Sequence, residues 1–160
     1  MKDKLGVFLI LILAFSVGTI YNFGIRIKCI YPVKLTKPRA GLLAITPIVF
    51  LAMAYYIGEN SWDNYLLAAS GSLFLVSGIL GEGISKRGIY YRPLGTGSQI
   101  MRLAKWEDIK DVKININKNK LESFKHEAKL KAATIFPDQY YNSKDIGKIS
   151  KYIESKTNKI

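Results

Sequence analysis

The chain has 160 residues, 24 Lys and Arg against 12 Asp and Glu, one Cys and one His, for a formal net charge of +12. A single Cys excludes a disulfide framework or thiolate zinc site, and a single His leaves little for another metal centre, so no cofactor or metal is expected. The charges are sorted along the chain: residues 1–81 hold 7 basic and 3 acidic side chains and residues 82–160 hold 17 and 9, net +4 and +8, the pattern of a membrane segment followed by a basic polar domain.

Three uncharged runs open the chain: Leu5 to Ile25, Gly41 to Gly58 and Tyr65 to Gly81. The first would span roughly 31 Å as a helix, and the other two sit near the lower limit of about 17 residues for crossing a bilayer. A short apolar run can equally be a buried core helix. Three of them with almost no amphipathic chain between them predict three transmembrane helices, about 5–25, 41–58 and 65–81. Lys2 and Lys4 before the first run raise a signal peptide as the alternative. Its apolar core is longer than a signal's and no small-x-small cleavage site follows, so the segment is read as retained.

The loops set the expected orientation. Residues 26–40 carry Arg26, Lys28, Lys34, Lys37 and Arg39 with no acid, whereas ENSWDN between the second and third runs carries Glu59 and Asp63 with no base. Basic loops stay inside, which predicts a multi-pass protein of the cell membrane with loop 26–40 and residues 82–160 cytoplasmic and the N-terminus outside. The spans contain no Asp, Glu, Lys, Arg or His to mark an ion path. Small residues recur at four-residue spacing, Ala14 with Gly18, Ala68 with Ser72 and Ser77 with Gly81, a pattern that chance, packing within the bundle or self-association would each give. Pro47 predicts a kink in the second helix, and Tyr55, Tyr56, Trp62 and Tyr65 form an interfacial belt at the outer loop.

From residue 82 the period changes. Val112, Ile114 and Ile116 alternate with polar residues, as do Leu130, Ala132, Thr134 and Phe136 more loosely, and Ile89 with Tyr91 and Met101 with Leu103 give two further strands. Gly95-Thr96-Gly97 and Asn117-Lys118-Asn119 are turn signals. Leu121 and Phe124 fall on opposite faces of a regular strand, which predicts a bulge between them. Ile146, Ile149 and Ile153 then mark an amphipathic helix over about 142–156, with Asn142 as its cap. The predicted fold is an α-helical membrane bundle, then a small antiparallel β domain of five or six strands, closed by a C-terminal helix.

The order of an apolar hairpin, GISKRGIYYR, AKWEDIKDVKI, a strand pair and a final helix resembles small bacterial membrane proteins carrying a pleckstrin-homology-like domain after two or three helices. Lys105-Trp106-Glu107-Asp108-Ile109 looks like that family's W-x-D/E-I turn, and Gly88 matches the glycine of its first strand. The resemblance implies a PH-like barrel or open sheet with Trp106 and Ile109 in the core and the acids outside. It also implies a cytoplasmic binding or scaffolding module without assigned activity, used in regulation, membrane stress or protection against membrane-active peptides. An accessory subunit of a transporter stays as an alternative.

No catalytic constellation is found, and the chain is not expected to be an enzyme. GEGISKRG and LGTGS lack the strand–loop–helix context and the Lys-Ser/Thr pair of a phosphate loop, so both read as tight turns. Glu107-Asp108 shows no convergent partners for acid–base work. His126 has no second ligand and is expected to face solvent. Cys29 beside Arg26 and Lys28 suits reversible palmitoylation but is read as a small apolar residue. Tyr90, Tyr91, Tyr140 and Tyr141 are expected to be half-buried, so no nucleic-acid binding is expected. The candidate membrane-surface contacts are Arg26, Lys28, Lys34, Lys37, Arg39, Lys86, Arg87, Arg92, Arg102 and Lys105, since a juxtamembrane cation gains roughly 1 kcal/mol from anionic headgroups. The expected partners are therefore the anionic lipid surface and a membrane protein or a second copy of the chain. The blander reading is that these charges only fix topology and solubility.

Overall fold

The fold was obtained as a computed structural model, which describes residues 2–58, 61–93, 99–128 and 131–157. Three helices lead: α1 (Lys2–Lys28), α2 (Lys37–Tyr56) and α3 (Trp62–Leu80). Each is long and apolar enough to cross a membrane. The helix α3 packs against both α1 and α2, which barely touch each other. Its small residues make the close approach possible. Gly18 of α1 lies under the Phe74 ring, Gly71 of α3 lies under Phe50, and Ala68, Ser72 and Ser77 are buried. Of the spaced small residues, those on α3 therefore serve packing within the bundle, while Ala14 faces outward. α2 continues through Pro47, and Trp62 opens α3 rather than sitting in a loop.

Segment 26–40 is not a plain loop. Its residues form strand β1 (Cys29–Pro32), which pairs with β2 (Gly83–Ser85). β2 pairs with β3 (Gly88–Tyr91) and β3 with β4 (Arg102–Lys105), giving an antiparallel sheet in the order β1-β2-β3-β4. A turn of 3-10 helix, Trp106–Asp108, leads into β5 (Ile109–Asn115) of a second sheet. There β5 pairs with β6 (Lys120–Ala128), whose other edge takes β7 (Lys131–Ile135) and then β8 (Gln139–Tyr140). The strands thus number eight among the described residues, more than the five or six expected, and they form two open sheets rather than a closed barrel. The turn signal at Gly95-Thr96-Gly97, the outer-loop Glu59 and the strand position Leu130 lie outside the described residues.

α4 (Ser143–Thr157) closes the core, burying Ile146, Ile149 and Ile153 against Ile84, Ile89, Trp106, Ile109, Leu121 and Phe124 from both sheets. Two register irregularities make that core possible. One between Lys113 and Ile114 pairs Ser123 and Leu121 with adjacent residues of β5, so Glu122 is the extra residue and Leu121 and Phe124 both face inward. The other lies between Ile109 and Asp111, and it lets Ile109 and Val112 share the core face. In β7 the inward residue is Ile135, because it stands directly opposite buried Phe124, while Phe136 is exposed. Gly88 is held at φ 154°, where a Cβ would overlap the Ala104 carbonyl across the ladder.

Candidate functional site: a buried ionic junction and a divided basic surface

Where the helices meet the sheets, polar groups are buried together. α1 at 27 residues is about 40 Å long, and its last two turns reach the end of α3 and the chain that leads into β4. Asn22 is fully buried in this region. Its amide donates to Ser77 Oγ (3.1 Å) and to the Gln99 carbonyl (3.0 Å), and its Oδ1 accepts from the Met101 N–H (3.3 Å). One turn on, Arg26 donates to the carbonyls of Leu80 (3.1 Å) and Val33 (3.4 Å), capping the C-terminal end of α3 with a cation.

Glu82 is the centre of the junction. It directly precedes β2 and its side chain is only 3% exposed. Arg39 of α2 reaches it at 2.7 Å, and Arg92 after β3 lies 3.9 Å from its other oxygen. Burial pushes its carboxyl above the ordinary 4.5, and the two guanidinium groups pull it back. Arg39 also donates to the Asp138 carbonyl (3.5 Å), and Arg92 to Gln99 Oε1 (3.4 Å). Beside them the Tyr141 hydroxyl donates to Gln139 Oε1 and the Gln139 amide to the Tyr90 carbonyl, both at 2.7 Å. Tyr141 is buried, which together with the Glu82 charge holds its phenol well above 10. Segment 33–34 completes the seam, with the Val33 N–H on the Glu82 carbonyl and the Lys34 N–H on that of Tyr140.

Of the ten candidate cations, then, Arg26, Arg39 and Arg92 point inward and are committed to protein partners. Lys28, Lys34, Lys37, Lys86, Arg87, Arg102 and Lys105 are exposed, and they fall at two ends of the first sheet. β2 leads away from α3, so Lys86 and Arg87 occupy the far turn, level with Cys29, Lys105 and the end of α1. Closeness to the third span in sequence does not bring them to its end in space. Lys34, Lys37 and Arg102 belong to the near end, where α2 begins and β4 starts. The exposed apolar side chains of Leu35 and Ile100 lie among them.

At the far end a groove of about 600 Å³ is lined by Arg87, Leu103, Lys105, Trp106, Glu107 and Lys156. Trp106 is buried and its indole N–H donates to the carbonyls of Lys86 (3.1 Å) and Ser85 (3.3 Å), while Tyr152 packs edge-on at 6.0 Å. Ile109 is also buried, Glu107 points outward and Asp108 is half-buried.

Three smaller expectations need correction or detail. His126 does not face open solvent: its side chain is 19% exposed and its Nε2 lies 3.7 Å from Asp108, because its position opposite Ile109 turns it beside the 3-10 turn. Cys29 is half-buried in β1, and burial raises its thiol to about 11. Tyr91 and Tyr140 are half-buried as expected, whereas Tyr90 and Tyr141 are buried. Among the described residues no three of His, Cys, Asp and Glu gather as a metal site. Compared with known proteins, the chain matches no family model, no curated protein and no solved structure.

Sequence reasoning overlooked Asn22, Glu82 and Gln139. A signal existed for Glu82, the first acid after the third span in a chain whose preceding basic segment has none. Nothing in the sequence pairs it with Arg39.

Proposed function

We propose that this is an integral membrane protein of the cell membrane whose three helices anchor a basic, pleckstrin-homology-like β module on the cytoplasmic face. It acts by binding and scaffolding at the anionic inner leaflet rather than by catalysis. The observation that carries this reading is the near-end rim. Lys34, Lys37 and Arg102 are exposed around the points where α2 enters and α3 leaves the helical layer, with Leu35 and Ile100 among them. Lys37 also sits in the first turn of α2, which holds no acid. A cation is unfavourable at a helix N-terminus, and an anionic headgroup would offset it. The ionic junction supports the reading further, because it holds the module in one pose against the helices.

The test uses the full chain in nanodiscs of neutral or anionic lipid. Hydrogen exchange in residues 33–37 and 99–105 should slow in anionic lipid only, and 0.5 M salt or K37E/R102E should abolish the slowing, since surface attraction is screened over about 10 Å at 0.1 M salt. Equal exchange in both lipids would sink the proposal.

A further inference from the structure

The far-end groove lies at the opposite end of the first sheet from the rim just described. β2 carries the chain about 10 Å from the end of α3 before the Lys86–Arg87 turn, and β3 brings it back. Cations gathered there are poorly placed to rest on the leaflet that holds the helices. We propose that this groove is a docking site for a short acidic segment of a protein partner, one that carries an apolar side chain between its acids.

Charge and shape both argue for that occupant. Arg87, Lys105 and Lys156 surround the groove, with Lys86 in the adjoining turn, against a single acid, Glu107. Glu107 is paired with Lys105 at 3.0 Å, but the two side chains are 69% and 60% exposed, so this pair exchanges partners at little cost. Arg87 and Lys86 carry no ion pair among the described residues. Leu103 and the fixed edge of Trp106 supply an apolar floor that a bare phosphate would leave uncovered. The Trp106 N–H is spent on two carbonyls, which leaves the cation rim to give charge recognition and the floor to give grip. Because Trp106 is buried, it offers no ring face on which a base could stack.

The experiment keeps the full chain, in neutral-lipid nanodiscs, with Trp62→Phe so that Trp106 is the sole tryptophan. The probe is a synthetic peptide of Glu and Asp around one Leu, with the same peptide in Gln and Asn as control. The acidic peptide should bind saturably, shift Trp106 fluorescence and lose affinity with salt. R87E and K156E, each checked for unchanged helix content, should weaken it tenfold or more. K156Q, a milder change at a half-buried lysine whose ammonium lies over the Tyr152 ring, should weaken it severalfold, and K34E should leave it unchanged. Equal binding of the neutral peptide, or indifference to R87E and K156Q, would overturn the proposal. So would a Trp106 response to anionic vesicles added in trans or to a single-stranded oligonucleotide in place of the peptide. K37E/R102E, which tests the rim, changes no residue that lines this groove, so the two proposals fail separately.

Discussion

The arginines at 26, 39 and 92 and the lysines at 28, 34, 37 and 86 come from the same basic stretches, yet the fold treats them differently. The three arginines turn inward, two onto Glu82 and one onto the carbonyls of Val33 and of Leu80 at the end of α3. The lysines remain exposed. A planar guanidinium is weakly hydrated and can serve two acceptors at once, so it tolerates a half-buried junction that a strongly hydrated ammonium would resist. The junction is where charge holds the structure, and the two ends of the sheet are where charge is free to meet something else.

The sharpest way to break this comparison is to remove Arg39. Glu82 would keep its burial and lose its nearest counter-charge, and breaking a buried pair from one side costs about 3–5 kcal/mol. Full-chain R39M in detergent should unfold its β module at correspondingly lower denaturant. The loss should also depend on pH. Glu82 titrates above its ordinary 4.5 in the fold, so the folded state holds the proton more tightly than the unfolded state does. Stability of R39M should therefore recover as pH falls through the folded pKa toward 4.5, and R39M/E82Q should lose most of that pH dependence. A loss that is flat with pH would mean Arg39 acts through packing alone.

A smaller effect is expected at Asn22. Asn22→Leu removes the acceptor of the Met101 N–H and the amide donor to the Gln99 carbonyl, at about 1–3 kcal/mol, while the Ser77 hydroxyl keeps its bond to the Phe74 carbonyl. The damage should be local, with hydrogen exchange rising at Met101 before it rises in β4. At the other extreme, K28Q and K86Q should shift stability by no more than about 0.5 kcal/mol, as surface changes usually do. A destabilisation of K86Q comparable to that of R39M would erase the distinction between the two sets of cations.

What could be read from the sequence follows the range of the interactions. The three spans and α4 announce themselves by length and by a 3.6 period, and β5 by a period of two, because burial of one face imposes those repeats locally. The bulge near Leu121 was legible for the same reason, since both flanking apolar residues had to reach one core. β1 was not. Four residues, CIYP, inside a cationic run become a strand only because Gly83–Ser85 offers an edge, more than fifty positions later. β8 is two residues long and exists by pairing with the start of β6. The site suffers most from this limit. Which cations are free depends on where Glu82, Leu80 and Val33 lie in space, and the separation of the two basic ends depends on the direction of β2, neither of which a charge count reports.

Cys29 offers the finest test, because it reports on β1 without disturbing it. The strand places the thiol half-buried, with its sulfur against the backbone of β2 near Gly83. Burial raises its pKa to about 11, against the modest opposing pull of Arg26. Thiolate is the reactive form, so at pH 7.5 a thiol at 11 is far less nucleophilic than a free cysteine near 8.5. Maleimide should therefore label the folded chain slowly and the denatured chain at the ordinary rate. If β1 were instead a mobile loop beside the membrane, labelling would be fast in both states and the thiol open to acylation. A side chain placed at Gly83 (G83V) would create that loop deliberately, because its Cβ would press on the Tyr31 carbonyl and the Cys29 sulfur, and it should raise the labelling rate toward the denatured value while α1 and α3 remain helical.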